Sequence, residues 1–397
     1  LVFEYFFTGF AWATINKNQK IMMIPANSLV LFYSIMVAYF LWVWLKNYYF
    51  NKPKEEFFDG KMGISVIVPV RNEAKSIFRL LQSIENQTLN KNRFEVILVD
   101  DSSDDQTIEI IKNYNISSDL DIKILNLSST ERGNSPKKNA ITKAIGFSKY
   151  PIIMTTDGDC EIPQNLLATY VDYFNNPRVM FLSGPVTFLD KKKGYFDNIW
   201  NSIQTVEFVS LIGVGAVSIL LGVPNMCSGA NLAYRKSVFL EINGYEGNED
   251  IASGDDEFLM HKIAQKFKNG VFYSQNRDTV VVTESVKNIF EFYNQRKRWS
   301  GKWTKYNSLT PQILAVFIFL VNLFTIYAIF KLNLSILAIR WISEFLFISV
   351  LLQFLNKKRK ILYIPLVQIL YPFYAVFFGL ISIWPDSSYS WKQRKLK

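Results

Sequence analysis

The chain has 397 residues, 49% of them apolar and 16% aromatic, with a formal net charge of +10. That length holds one large domain with attachments, or two domains. The single histidine, His261, excludes a multi-histidine metal site, and two cysteines, Cys160 and Cys227, give no disulfide framework, so acid–base and metal chemistry fall mostly to carboxylates.

Leu1 opens the chain and Met22-Met23 stand just before the first apolar run; the natural start is expected at one of these methionines. No residue from Ile21 to Leu45 is charged, and Leu29–Leu45 is almost continuously apolar. About 20 such residues cross a bilayer core as a helix, which predicts a span over about residues 25–46. Gly63–Pro69 is a β-branched run and reads as a buried strand. Ile77, Leu80, Leu81 and Ile84 fall at helical spacing and define one face of a helix. Strands follow at Glu95–Val99, Ile122–Leu127 and Ile152–Thr155, separated by helices at Thr107–Tyr114 and Pro136–Ser148. This alternation predicts an α/β domain with a mainly parallel sheet covered on both faces. Ligands of such sheets bind beyond the carboxyl ends of the strands. Asn72-Glu73, Asp100-Asp101 and Asp157-Gly158-Asp159 all fall there.

Beyond Arg178 the pattern is less regular. Tyr195–Leu211 reads as an amphipathic helix, and the apolar, glycine-rich Ile212–Val223 as a helix or loop at a membrane surface. Gly254-Asp255-Asp256-Glu257 opens a helix carrying Phe258, Leu259 and Ile263. Gln295-Arg296-Lys297-Arg298-Trp299 is basic and aromatic. Three apolar segments close the chain, at about 310–330, 334–355 and 361–384. Pro365 and Pro372 make the last of these a bent or re-entrant piece, and Arg340 and Glu344 can pair at i, i+4 within the second. Lysine and arginine cluster at Lys46, Lys52 and Lys54, at Lys357–Lys360 and in the tail from Lys392 to Lys397. Basic residues beside apolar spans mark the cytosolic side and attract anionic lipid, so the positive charge points to membrane lipid as the partner and not to nucleic acid.

The order Asp100-Asp101, Asp157-Gly158-Asp159, Asp255-Asp256 and Gln295-x-x-Arg298-Trp299 resembles the family 2 glycosyltransferases, in the branch with membrane helices. The resemblance implies a GT-A domain (Rossmann-like, binding a nucleotide-diphospho-sugar) over about 61–305, flanked by an N-terminal segment, 1–60, and a membrane region, 306–397. It implies Glu73, Asp100, Asp101, Lys137 and Asp157 as nucleotide-sugar contacts, and Asp159 with Asp157 as ligands of Mg²⁺ or Mn²⁺. It makes Asp256 the general base with Asp255 beside it, and assigns Gln295, Arg298 and Trp299 to the diphosphate and the acceptor. Lys138 reads as a solvated neighbour of Lys137, and His261 as a helix-surface residue. Asp255 replaces a commoner Glu, and Val286 stands where related chains often carry Pro.

The implied activity is inverting transfer of a sugar, carried most readily on a uridine nucleotide, to a lipid, lipid-linked or polysaccharide acceptor. The implied location is a bacterial inner membrane with the catalytic domain in the cytosol. A processive β-polysaccharide synthase shares the motif. A nucleotide-sugar-binding subunit without turnover is the reading from another class. The small number of spans favours a single transfer, unless the chain oligomerises or works with a partner subunit.

Overall fold

The computed structural model describes residues 27–50, 62–190, 194–251, 253–301, 309–383, 389–391 and 394–396. Met22, Met23, Lys52, Lys54 and Lys392 lie outside them. Helix α1 (Asn27–Phe50) is the predicted first apolar helix. Strand β1 (Ile64–Val70) follows, then α2 (Ile77–Glu85), β2 (Phe94–Asp100), α3 (Thr107–Ser117), β3 (Ile122–Asn126), α4 (Ser129–Arg132), α5 (Pro136–Phe147) and β4 (Ile152–Thr155). The buried face of α2 is Ile77, Leu80, Leu81 and Ile84, as its spacing requires. Pro136 starts α5, where a missing N–H costs no helix bond.

Next come α6 (Leu166–Asn175), β5 (Phe181–Ser183), β6 (Val186–Phe188), α7 (Tyr195–Leu220), β7 (Leu232–Arg235), α8 (Lys236–Glu241), α9 (Glu257–Lys266), β8 (Val271–Tyr273) and β9 (Val281–Thr283). The main sheet has the order β3-β2-β1-β4-β7-β5-β8. The first four strands of that order are parallel, whereas β7 runs antiparallel to both β4 and β5. The sheet is therefore mixed, not simply parallel. The reversal has a consequence for the site. The chain entering β7 arrives at the edge where β1, β2 and β4 end, so the Ser228–Asn231 turn joins the acidic loops. Thr156 Oγ1 ties it there by donating to the Ala230 carbonyl at 2.9 Å.

Helix α7 corrects the expectation of a helix broken near Leu211: it is one continuous helix of 26 residues. Its glycines are contact points. A Cβ on Gly213 would fall 2.1 Å from Leu351 Cδ1, so glycine here lets another helix approach closely. With α7 counted, five helices among the described residues are long and apolar enough to cross a membrane.

The chain ends with α10 (Ile289–Ser300), α11 (Leu309–Phe330), α12 (Leu334–Phe354), α13 (Ile364–Ser382) and a hairpin of β10 (Tyr389–Trp391) and β11 (Arg394–Leu396). The sheet domain rests on the carboxyl ends of α1 and α12. Trp44 packs its ring 5.1 Å from Phe354 and 6.2 Å from Tyr273. The basic loop before α13 is fastened to the same domain: Lys357 Nζ lies 2.8 Å from Asp190 Oδ2, and Lys360 Nζ donates to Asn201 and Ser202 on α7. Helix α13 contains Pro372. Its second half packs on α10 through Tyr293 and Phe378, and β10 also lies against α10. Helix α13 is continuous through Pro372 and is long and apolar enough to cross a membrane.

Candidate active site

The acids predicted from four separate stretches of sequence meet at one sheet edge. A cavity of about 800 Å³ is lined there by Glu73, Asp101, Lys137, Asp157, Asp159, Asp255 and Asp256, and also by Gln295, Arg298 and Trp299. Asp100 is the exception. It is buried and accepts from the Ser103 amide at 3.1 Å and the Ser103 hydroxyl at 2.6 Å, so it shapes the turn. Ser102, at φ 54°, reverses the chain so that Asp101 faces the cavity wall. Arg132 holds Asp101 by an Nε–Oδ1 bond of 2.7 Å, and Arg71 donates to the Ser102 carbonyl at 2.7 Å. Sequence reasoning had assigned neither arginine.

Gly158 has a steric role in the Asp157-Gly158-Asp159 turn. A Cβ there would stand 2.8 Å from Glu73 Cγ, so glycine lets the loop after β1 close over the loop after β4. Lys137, from the first turn of α5, reaches between the acids: Nζ is 2.7 Å from Asp157 Oδ1 and 3.1 Å from Asp255 Oδ2. Burial alone would lower its pKa, but Asp157 and Asp255 outweigh it and hold the ammonium well above the ordinary lysine range. Burial pushes the Asp255 carboxyl up; Lys137 pulls it down, and Asp256 and Asp157 push it up again. The net upward direction is the one the geometry supports, since three carboxylates share one ammonium.

Asp256 is placed differently. Its Oδ1 accepts from the Glu257 amide at 2.8 Å, capping α9. Its Oδ2 accepts from the Gly229 amide at 2.8 Å, across the cavity edge. Two backbone donors hold the carboxylate in one orientation.

Lys138 corrects its solvated reading. It is 1% exposed, and Nζ donates to the carbonyls of Asn248 and Ile251 at 2.6 and 2.8 Å. It anchors the loop leading to Asp255. His261 is half-buried, with Nε2 3.0 Å from the Asn225 carbonyl.

Within α10, Arg298 and Trp299 face the cavity while Arg296 turns away. Arg296 is buried against Glu207 of α7 by two hydrogen bonds, that from Nε at 3.2 Å. Its guanidinium lies 4.2 Å from the Trp299 ring centroid and 4.5 Å from that of Phe292. Tyr374 of α13 donates to the same Glu207 at 3.1 Å. The motif is thereby joined to two other helices through one carboxylate. The Val286 carbonyl accepts from Gln204 and Trp200, and proline would offer the same acceptor.

The donor set suits a hard divalent cation. Asp157 and Asp159 supply oxygen only, as Mg²⁺ and Mn²⁺ prefer. Among the described residues, no group of three His, Cys, Asp or Glu forms a complete cage. An ion here would take the remaining oxygens from a bound ligand and water.

The family model described as glycosyl transferase family 2 matches residues 65–242. The poly-beta-1,6-N-acetyl-D-glucosamine synthase of Staphylococcus aureus (strain COL) is 26% identical over 236 residues, covering 56% of this chain and 54% of that protein. The enzyme of the same name from Staphylococcus epidermidis (strain ATCC 35984) is 26% identical over 288 residues, covering 68% of this chain and 64% of its own. The chain therefore spans less than two thirds of the length of these relatives. A mannosyltransferase from Pyrobaculum calidifontis, solved with GDP-Man and Mn²⁺, superposes with a TM-score of 0.53 at 17% identity, over 90% of this chain and 96% of its own. At that identity the likeness is one of fold.

Proposed function

We propose, for a chain that belongs to glycosyl transferase family 2 through residues 65–242, that it transfers a sugar from a nucleotide-sugar to an acceptor held at the membrane. The observation that carries this reading is the continuity of one cavity. Its wall runs from Asp157, Asp159 and Asp256 at the sheet edge to Tyr33, Phe347 and Tyr371 of the apolar helices. Such a space lets a water-soluble donor and a membrane-held acceptor meet.

Each residue has a part. Asp101 and Glu73 line the nucleotide end, and Asp100 positions Asp101 through the turn. Asp157 and Asp159 would hold Mg²⁺ or Mn²⁺, which when bound offsets the charge on a departing diphosphate. Arg298 supplies a further cation for that charge. Asp256 accepts the proton of the acceptor hydroxyl as its oxygen attacks the anomeric carbon and the bond to the diphosphate breaks. That displacement inverts the anomeric centre. Lys137 neutralises Asp255, which keeps a second negative charge from competing for the proton. Trp299 offers a flat apolar face for the acceptor sugar.

The catalytic unit is proposed to span about residues 61–305, between an N-terminal segment, 1–60, and a membrane region, 306–397. The basic loop Lys357–Lys360 binds the sheet domain directly through Asp190, which supports a cytosolic position for both. A processive synthase is a second reading, favoured by the two staphylococcal relatives. The test is nucleotide release by purified protein across a donor panel, with Mg²⁺, Mn²⁺ or EDTA, followed by sizing of the product. Metal-dependent release from one donor supports transfer, and a polymer product selects the processive reading. No release from any donor, with membrane lipid present, favours a binding subunit.

A further inference from the structure

The part of the cavity that reaches between α1, α11, α12 and α13 has a one-sided chemistry. Among the described lining residues the cations are Arg71, Lys137 and Arg298, all from the sheet domain and α10. Among their described residues, the four apolar helices contribute no lining lysine or arginine. They contribute Glu344, Asn322 and Gln368, with tyrosines and phenylalanines around them.

Glu344 is held firmly. Its Oε1 accepts from Tyr33 Oη at 2.8 Å and Arg340 Nε at 3.0 Å, and its Oε2 accepts from Gln368 Nε2 at 3.3 Å. Arg340 stands behind it, 1% exposed, and also binds Asn322 Oδ1 at 3.0 Å and the Thr325 hydroxyl. The sequence reading allowed an i, i+4 pair; the structure makes it the centre of a network across four helices. Burying such a pair costs several kcal/mol per ion, and apolar side chains of similar volume would pack as well. A carboxylate offers about four acceptor positions. Three donors fill part of that capacity, and the group lies on the cavity wall.

We propose that this end of the cavity is a binding subsite for the acceptor, and that it selects an uncharged, hydroxyl-bearing glycan over a phosphorylated lipid carrier. The proposal rests on the transfer reading above. Sugar hydroxyls donate to the Glu344 carboxylate and the Gln368 amide oxygen, while the ring faces lie on Tyr371 and Phe378. A phosphate in the same place meets a carboxylate of like charge in a low-dielectric setting, and the guanidinium that could offset it is already engaged by Glu344. The glycan is either the end of a growing chain or the headgroup of a glycolipid; the recognising chemistry is the same.

The test is direct binding to the full chain in phosphatidylcholine nanodiscs. The probes are a neutral N-acetylglucosamine oligomer, a dialkyl glucoside and a polyprenyl phosphate. Arg340→Met/Glu344→Leu removes both charges together, so that neither is left buried alone, and Arg340→Gln/Glu344→Gln does the same with polar side chains should the first double variant fail to fold. At least one neutral probe is expected to bind the unaltered protein and to weaken about tenfold in the variants, the value of one charged hydrogen bond. The affinity for uridine diphosphate should stay unchanged. The neutral probe that binds identifies the source of the glycan. Tighter binding of the polyprenyl phosphate, no binding of either neutral probe, or neutral binding indifferent to Glu344 would overturn the proposal. Because binding is read without turnover, a protein that binds but never transfers sinks the transfer reading alone.

Discussion

Gly229 donates its backbone N–H to Asp256 Oδ2 at 2.8 Å, and this bond joins the antiparallel strand of the sheet to the proposed base. The turn before β7 reaches the carboxyl edge only because β7 runs against β4. A reversal in strand direction thus fixes the orientation of a carboxylate that lies some 27 residues away in sequence.

Asp256→Asn tests the base. The asparagine oxygen can still cap α9, but its NH₂ must then face the Gly229 N–H, so one hydrogen bond worth about 1 kcal/mol is lost. The fold survives and nucleotide binding persists. Turnover should fall by about 10²–10⁴, the usual share of a general base. Nucleotide release and uridine diphosphate affinity, measured on one preparation, check it. Undiminished release would remove Asp256 from the mechanism.

Gly229→Ala is expected to be more damaging than its size suggests. The added Cβ would lie 3.0 Å from Asp255 Oδ2 and 3.1 Å from Lys137 Nζ. Either the turn retreats and releases Asp256, or the Lys137–Asp255 pair opens. Both weaken catalysis before they weaken the fold. The expected pattern is at least a tenfold loss in turnover, about 1.4 kcal/mol, with thermal unfolding near that of the unaltered protein. A variant of full activity would show that the amide does not orient the base.

Much of this arrangement was legible in the sequence because short-range rules determine it. The apolar spacing of α2, the buried runs of β1 and β2, and Pro136 at the start of α5 follow from local patterns. Glu73, Asp101, Asp157 and Asp159 also converge beyond the ends of β1, β2 and β4, as their positions after strands required. What remained hidden depends on long-range contacts. Asp100 and Asp101 both follow β2, and only the φ of Ser102 and the Ser103 bonds decide which one faces the cavity. Lys138 looks like any surface lysine until the carbonyls of Asn248 and Ile251 close over it. Gly213 and Gly215 look like breaks in a helix, yet they are the points where Leu351 and Met226 press against it.

Arg296→Lys should not be a conservative change. The guanidinium is held by Glu207 through two nitrogens and lies flat beside Phe292 and Trp299. An ammonium cannot reproduce the fork or the stack. Loss of both should free Trp299 and reduce acceptor use about tenfold or more, given about 2 kcal/mol for a desolvated cation–π contact. Glu207→Gln should act in the same direction, because it leaves Arg296 buried without a counter-charge. The informative readout is the split between the acceptor KM, which should rise, and uridine diphosphate affinity, which should hold. Equal losses in both would mean that the pair supports the whole site and not Trp299.

Glu95 predicts how stability responds to acid. It is the second residue of β2, and its buried carboxylate accepts from the Ser65 hydroxyl at 2.6 Å, from Lys123 Nζ at 2.6 Å and from the Lys149 amide. One side chain therefore ties β1, β2, β3 and the turn into β4. Burial alone would raise its pKa, but the bonds from Lys123, Ser65 and Lys149 outweigh burial and hold the carboxyl below the usual glutamate range. The Lys123 pKa is raised, first by its hydrogen bond to Glu95, so the two partners agree in direction. A depressed acid pKa stabilises the fold above the unfolded value, about 4.3 for glutamate, and that stabilisation is lost as pH falls through the folded value. Glu95→Gln should cost about 2 kcal/mol at pH 7, the worth of a charged hydrogen bond. The deficit should shrink as the pH is lowered beyond about 4, because the unaltered protein then loses the same contribution by protonation. Thermal unfolding of both proteins across this pH range measures it. A gap that stays constant from neutral to acid would show that the ionised form of Glu95 adds nothing to the sheet.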